Sequence, residues 1–243
     1  MIFQHVAEEG PGLIEDVLKK RGEPYRIIRS YEGDPVPREM EGVCGLVVMG
    51  GPMNVDETHR YPFLKTEREL ITQAVSRGIP VLGVCLGAQM LACALGAKVW
   101  KGPQLELGFD LVEPTVAGAQ DFVLSGMESK IPVFQWHRDT FELPAQGVLL
   151  ASSPLYANQA FRVGPSAYGF QFHLEITEEI LKQWAAWMQR DRMPGAKEAQ
   201  NWAQSEKRLA VHRAGKQIFH RFFSMREVVC ESKELLDRKP SYL

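Results

Sequence analysis

The hydrophobic positions divide the chain into two unlike halves. From Met1 to about Trp100, short apolar runs alternate with stretches whose apolar residues recur every three or four positions. Ile2 to Val6, Tyr25 to Ile28, Leu46 to Met49 and Ile79 to Val84 read as strands, the unbroken runs among them as parallel strands buried on both faces. Gly12 to Lys20 has helical spacing at Leu13, Val17 and Leu18 and is closed by Gly22. A loop rich in Pro and Gly (Gly33, Pro35, Pro37) precedes the third strand. Leu64 to Val75 gathers Leu64, Leu70, Ile71, Ala74 and Val75 on one helical face before Gly78. Leu86 to Leu95 is built from good helix formers and stops at Gly96. Strand and helix alternate throughout. This predicts an α/β fold, a doubly wound, mainly parallel sheet with helices on both faces.

The pattern then changes. Gln104 to Val112, Pro132 to Gln135, Val148 to Ala151, Asn158 to Arg162 and Tyr168 to Phe172 read as strands with few helices and many turn residues between them. Antiparallel additions to the sheet fit this better than further crossover units. Ile180 to Met188 reads as a helix carrying Trp184 and Trp187. After Met193-Pro194-Gly195 the chain becomes charge-rich, with helices expected near Ala199–Val211 and Lys216–Leu236. The expected division is therefore one domain over residues 1–193 and a C-terminal helical extension over 194–243. Ile218, Phe219, Phe222, Phe223, Val228 and Val229 would cover the core as an amphipathic face, or else form an oligomer or partner surface. The oligomeric state is left open.

Bulk properties narrow the classes. A core of 243 residues needs no disulfide or metal to stand. The net charge of −2 gives no electrostatic case for nucleic acid or an anionic membrane as partner. Cys44, Cys85, Cys93 and Cys230 are scattered, without C-x-x-C or zinc-type spacing, so no metal is expected and a reduced, cytoplasmic setting is. Met1 to Gly12 lacks the features of a signal peptide, and no apolar run approaches the ~18 residues of a membrane span. No cofactor is expected; neither G-x-x-x-x-G-K-[ST] nor S-G-G-x-D-S occurs, so no nucleotide-activating motif is seen.

The candidate chemistry centres on Pro80-Val-Leu-Gly-Val-Cys85-Leu-Gly-Ala-Gln-Met90, a strand, a sharp turn and a helix with a thiol at the turn. This is a nucleophile elbow with Cys where other hydrolases carry Ser; Gly83 and Gly87 allow the close approach so tight a turn requires. A helix N-terminus favours thiolate over thiol, so the place suits a nucleophile; a buried, inert cysteine is the commoner fate of a lone Cys. Downstream, Phe170-Gln-Phe-His173-Leu-Glu175 ends a strand. If that strand continues, alternation puts His173 and Glu175 on one side, base and orienting carboxylate for Cys85. Taken alone, Glu175 reads equally as the acidic start of a helix near Thr177. The N–H of Leu86, just after the nucleophile, and one from Gly50-Gly51-Pro52 at the end of the third strand are candidate oxyanion donors.

Together these pieces resemble a class I, triad-type glutamine amidotransferase, in the variety similar to the amidotransferase domain of GMP synthase. The matching residues are Met49-Gly-Gly-Pro52, Gly83-Val-Cys-Leu-Gly-Ala-Gln89, Gly102-Pro103 with Glu106 and Gly108, and Phe172-His-Leu-Glu175. They run in the family's order and span about Ile2 to Met188. The resemblance implies a flavodoxin-like amidotransferase fold and hydrolysis of glutamine's γ-amide through a γ-glutamyl thioester on Cys85, with His173 and Glu175 completing the triad and Gly51 and Leu86 binding the oxyanion. Gln89 and the backbone around Trp136 and His137 would hold the α-amino and α-carboxylate end, with Gly50 and Pro52 beside them. Two departures stand out. The family commonly has Pro where this chain has Leu174, and Gln135-Trp-His-Arg-Asp139 matches the family's S-H-x-D region only loosely. Any synthetase that uses the ammonia would be another chain, or there is none, and the ammonia acceptor is left open. The alternatives are a free-standing γ-glutamyl peptide hydrolase, or a catalytically silent binding or regulatory protein on the same fold.

Overall fold

The apolar runs of the first half become the parallel part of a nine-stranded sheet. In the computed structural model, which describes residues 1–237 and their side chains as far as Met225, β1 (Ile2–Gln4) lies between β2 (Ile27–Arg29) and β3 (Leu46–Val48). β4 (Val81–Val84) follows β3, and β9 (Ala167–Phe170) pairs parallel to β4 from far along the chain. Alternation along these strands feeds two cores, one on each face. Ile2, Val47 and Leu82 point to one, Phe3, Leu46, Val48 and Val81 to the other. Helix α1 (Leu13–Arg21) covers the first face, and α2 (Phe63–Ser76) with α3 (Leu86–Ala94) the second.

The second half extends the sheet with the opposite polarity, as its turn-rich pattern predicts. Beyond β9 come β8 (Ala160–Val163), β7 (Gly147–Ser152), β5 (Val99–Pro114) and β6 (Ile131–Phe141), each antiparallel to its neighbour. β5 and β6 are longer than their apolar runs suggest. A register shift between Lys101 and Glu106 interrupts β5 at Gly102-Pro103, so the sequence there reads as loop although pairing resumes on both sides. A short helix, α4 (Val116–Gln120), escapes the periodicity; the Thr115 hydroxyl caps it by accepting from the Gly118 N–H at 3.0 Å.

The C-terminal segment differs from expectation in one respect. After α5 (Glu178–Arg190) and the short α6 (Ala196–Ala199), the two expected helices are a single helix, α7 (Glu206–Asp237). Gly215 lies inside it. A Cβ there would come within 2.4 Å of the Leu174 carbonyl oxygen, so this glycine admits a close approach and does not end the helix. Ile218, Phe219, Phe222 and Phe223 are buried in the core on the α1 face, each contributing roughly 1.5–3 kcal/mol by leaving water. The covering role expected of this face is the one observed; Val228, Val229 and Cys230 lie outside the described side chains. Among the described residues no helix is long and apolar enough to cross a membrane.

Candidate active site

β4 runs directly into α3 through Cys85, which has φ +50° and ψ −107°, a backbone state that non-glycine residues rarely adopt. The turn is held by the Cys85 N–H, which donates to the Phe170 carbonyl at 2.8 Å. Its glycines have steric reasons. A Cβ on Gly83 would lie 2.4 Å from the Gly87 oxygen, and one on Gly87 would lie 2.0 Å from the Val48 oxygen. The G-x-C-x-G spacing is therefore the packing of α3 against β4 and β3, with the thiol at the apex.

His173 and Glu175 reach this apex by a route the alternation argument does not describe. β9 ends at Phe170. The chain then crosses to β6, where His173 and Phe134 exchange backbone hydrogen bonds of 2.8 and 3.0 Å. Past that bridge Glu175 folds back: its Oε1 accepts from His173 Nδ1 at 2.7 Å, and its Oε2 accepts from the Leu174 N–H at 3.0 Å. A proline at 174 would lack that donor. From behind, the Leu13 N–H donates to the Glu175 carbonyl at 2.9 Å, and Gly12, at φ +45°, leaves room for it. The Trp184 ring meets the imidazole edge-on at 5.0 Å. Both residues are buried, and His173, its Nδ1 taken by Glu175, lies near enough for its charge to act on Cys85, whose sulfur faces the Trp136 carbonyl and accepts from Gln171 Nε2 at 3.7 Å.

Burial governs the electrostatics. It pushes the Cys85 thiol up, and the charge of the neighbouring His173 only partly offsets this. The bias toward thiolate expected from the helix N-terminus is thus opposed by desolvation, and His173 supplies what favours the thiolate. For His173, burial acts downward, but Glu175 and Cys85 outweigh it and raise the imidazole well above its usual range. A second carboxyl group, that of Glu9, stands close by. It lies against Gly50, where a Cβ would meet its Oε2 at 2.0 Å and His173 Cε1 at 3.3 Å. Burial, partly countered by the charge of His173, pushes Glu9 up to about 7.

A pocket of about 210 Å³ opens over Cys85 and is lined by Gly51, Pro52, Gln89, Trp136, His137 and Asp139, among others. Gly51 lines this pocket, and Leu86, the first residue of α3, carries one of the N–H groups that the first turn of any helix leaves without an intrahelical partner. Gln89 is fixed by its amide, which donates to the Asp139 carbonyl at 3.3 Å and to Gln171 Oε1 at 3.2 Å. The Trp136 carbonyl lies 3.8 Å from the Cys85 sulfur. The His137 ring is already engaged, with Nε2 on Glu106 at 2.9 Å and Nδ1 on the Asp139 carbonyl at 3.1 Å, so only its surface faces the pocket. Gly50, expected beside the substrate, is not among the lining residues. Its Cα faces Glu9 and its carbonyl faces His5, because the Gly50–Gly51 peptide turns away from the pocket on that side.

Several residues of this centre escaped the sequence reading. Glu9 comes from the loop before α1, and its only sequence signal is the cluster Glu9-Gly-Pro-Gly12. His5 and Glu67 are fully buried and paired at 2.8 Å across 62 positions, which no local pattern reveals. Glu106 was legible as a matching residue without a role. It receives hydrogen bonds from His137, Gln159 and Ser153, which hold its carboxyl below the usual range although burial acts the other way.

Comparison with known proteins agrees with the geometry. Residues 12–183 match the family model for glutamine amidotransferase class-I. The chain is 33% identical over 181 residues to a glutamine amidotransferase-like protein of Salmonella typhimurium, YfeJ, covering 73% of this chain and 76% of that one. It is 33% identical over 177 residues to one subunit of the glutamine-hydrolyzing GMP synthase of Thermoplasma volcanium, covering 70% of this chain and 82% of that one. The crystal structure of a glutamine amidotransferase from Methylobacillus flagellatus superposes with a TM-score of 0.81 at 31% identity, over 92% of this chain and 93% of that one. By its sequence, its mixed sheet and the elbow at Cys85, the chain belongs to the class I glutamine amidotransferase family.

Proposed function

We propose that the protein hydrolyses the γ-amide of glutamine through Cys85, His173 and Glu175. The observation that carries this reading is the buried constellation itself: a strained elbow thiol within reach of the charge of His173, whose Nδ1 is held by Glu175 at 2.7 Å. Cys85 Sγ attacks the γ-carbonyl carbon while its proton passes to His173 Nε2. The tetrahedral oxyanion is received by the Gly51 and Leu86 N–H groups. Collapse breaks the C–N bond, and His173 gives its proton to the departing nitrogen, which leaves as ammonia. Water, deprotonated by His173, then cleaves the γ-glutamyl thioester and releases glutamate. Glu175 keeps the ring oriented and stabilises the imidazolium. Asp139 lines the same pocket and offers a negative charge to the α-ammonium of the substrate, with Gln89 and the Trp136 carbonyl fixing its depth, while the Arg138 guanidinium is held by the Gly102 and Pro103 carbonyls.

Likeness to a single subunit of a GMP synthase supports a separate synthetase chain as the ammonia acceptor. The test is direct. The purified protein is offered glutamine, a γ-glutamyl dipeptide and glutathione, and release of ammonia or free amine is followed. Ammonia from glutamine with acylation of Cys85 is expected. Rapid cleavage of the peptides with weak turnover of glutamine would shift the reading to a free-standing γ-glutamyl hydrolase. No turnover and no acylation of Cys85 would overturn the enzymatic reading.

A further inference from the structure

Behind the pocket lies a second buried histidine–glutamate pair. His5, in the loop after β1, directs Nδ1 at the Gly50 carbonyl oxygen at 2.9 Å and Nε2 at Glu67 Oε2 at 2.8 Å. The other oxygen of Glu67 accepts from the Ser30 hydroxyl at 2.8 Å. His5 and Glu67 are wholly buried, and Phe63 stacks on the imidazole with centroids 6.0 Å apart. A carbonyl oxygen can only accept, so Nδ1 carries a proton whatever the charge state of the pair. His5 is therefore a fixed donor to Gly50.

What that donor fixes is a peptide plane. The Gly50 carbonyl and the Gly51 N–H belong to one planar trans unit and point in opposite directions. Flanked by two glycines, this peptide meets little steric resistance to rotating about its long axis. Turned over, it would present a carbonyl oxygen to the pocket where an N–H is wanted, and an oxyanion there would be repelled. His5 also abuts the loop directly: a Cβ on Gly51 would lie 3.1 Å from the His5 Cβ.

We infer that His5 is a positioning residue for the oxyanion site: anchored by Glu67 and Ser30, it holds the Gly50 carbonyl back and so keeps the Gly51 N–H facing Cys85. The inference rests on the reading of Gly51 as an oxyanion donor. Two substitutions separate the nitrogens of His5. In His5→Asn the amide nitrogen takes the place of Nδ1 and keeps a donor on Gly50. In His5→Gln the longer side chain takes the place of Nε2 and leaves the carbonyl unheld. Turnover of glutamine, affinity for glutamate γ-semialdehyde and alkylation of Cys85 by iodoacetamide are measured on each full-length variant. The aldehyde forms a tetrahedral thiohemiacetal and reports the oxyanion site; iodoacetamide reports the thiol alone.

His5→Gln is expected to lower kcat by about 10²-fold, the scale of one lost oxyanion donor, with KM nearly unchanged. The aldehyde should lose affinity by a similar factor, while the alkylation rate stays within about two-fold, because no oxyanion forms in that reaction. His5→Asn should recover most of kcat and of the aldehyde affinity. Equal kcat in the two variants, or a loss in His5→Gln that alkylation shares in full, would overturn the inference and leave His5 a packing residue. If the unaltered protein turns over no γ-glutamyl compound, both readings fall; if it does and His5→Gln matches it, this one falls alone.

Discussion

The front and the back of the Gly50–Gly51 loop hold the same chemical pair put to different ends. In front, His173 and Glu175 are 2.7 Å apart; behind, His5 and Glu67 are 2.8 Å apart; all four are buried. What differs is the partner of the second ring nitrogen. For His173 the group beside the ring is the Cys85 thiol, which in the proposed reaction gives up a proton and takes it back. For His5 it is a backbone carbonyl, which can only accept. His137 repeats the second arrangement, with Glu106 on one nitrogen and the Asp139 carbonyl on the other. A buried His–Glu pair is therefore not by itself a sign of acid–base chemistry. The group on the far nitrogen decides whether the imidazole moves a proton or holds a strand in place.

The sharpest way to break this comparison is to remove each carboxylate in turn. Cys85→Ala should abolish turnover and His173→Asn nearly so. Glu175→Gln should cost up to ~10⁴-fold in kcat, the scale seen when a serine triad loses its orienting carboxylate. Glu67→Gln keeps the shape and a hydrogen-bonding group beside His5 and should cost far less in rate. Steady-state kinetics with folding checked by circular dichroism would decide it. A fully active Glu175→Gln protein would remove Glu175 from the mechanism and make the front pair resemble the back.

Stability should rank the pairs the other way. Glu67 anchors both His5 and Ser30, and nothing solvates the imidazole once it is gone. Glu67→Leu should destabilise the fold by about 3–5 kcal/mol, the cost of leaving a buried partner unpaired. Urea unfolding measures it, and a loss below ~1 kcal/mol would show that the back pair holds little.

How legible each pair was follows from distance along the chain. The elbow was readable because strand, nucleophile, glycines and helix lie within Pro80–Met90, and each glycine answers a contact a few residues or one strand away. His173 and Glu175 were readable as a short motif, although the reason offered, an unbroken strand, was not the one the fold uses. His5 and Glu67 meet only because the fold brings the loop after β1 against α2, and a histidine after an apolar strand looks like any surface residue. Gly215 shows the converse. A glycine placed for contact with Leu174 has the same letter as one that ends a helix.

Glu9 lies between the two pairs and tests them through pH. Buried and pushed up to about 7, it binds its proton more tightly in the folded chain than in the unfolded one, where it titrates near 4.5. Between those values the native state holds more protons, so this group makes stability fall as pH rises, with the loss complete above about 7. A shift of this size corresponds to at most about 3 kcal/mol. Glu9→Gln should therefore match the parent protein near pH 4 and exceed it by up to about 3 kcal/mol at pH 8. Denaturant unfolding at several pH values checks the sign. An advantage for the variant that does not grow with pH would mean that Glu9 does not ionise in this window.

The smallest expected effect tests what the front pair gains from Leu174. Its N–H donates to Glu175 Oε2, so the carboxylate is held at both oxygens, by the ring it serves and by the backbone. Leu174→Pro removes that donor, and a hydrogen bond to a charged group contributes about 1.5–3 kcal/mol. The backbone should tolerate the change, since His173 is in a strand-like bridge and the residue before a proline favours that region. The Leu174 side chain is buried, so some stability will be lost as well, and stability alone cannot isolate the effect. The rate can. With one donor fewer, the Glu175 carboxylate is held at one oxygen only and orients His173 less firmly. The kcat should then fall by roughly ten-fold or less with KM nearly unchanged. An unchanged kcat, in a variant that folds, would show that the pair with His173 alone suffices to hold Glu175 in place. The front pair would then match the back in needing only its own imidazole and one further contact.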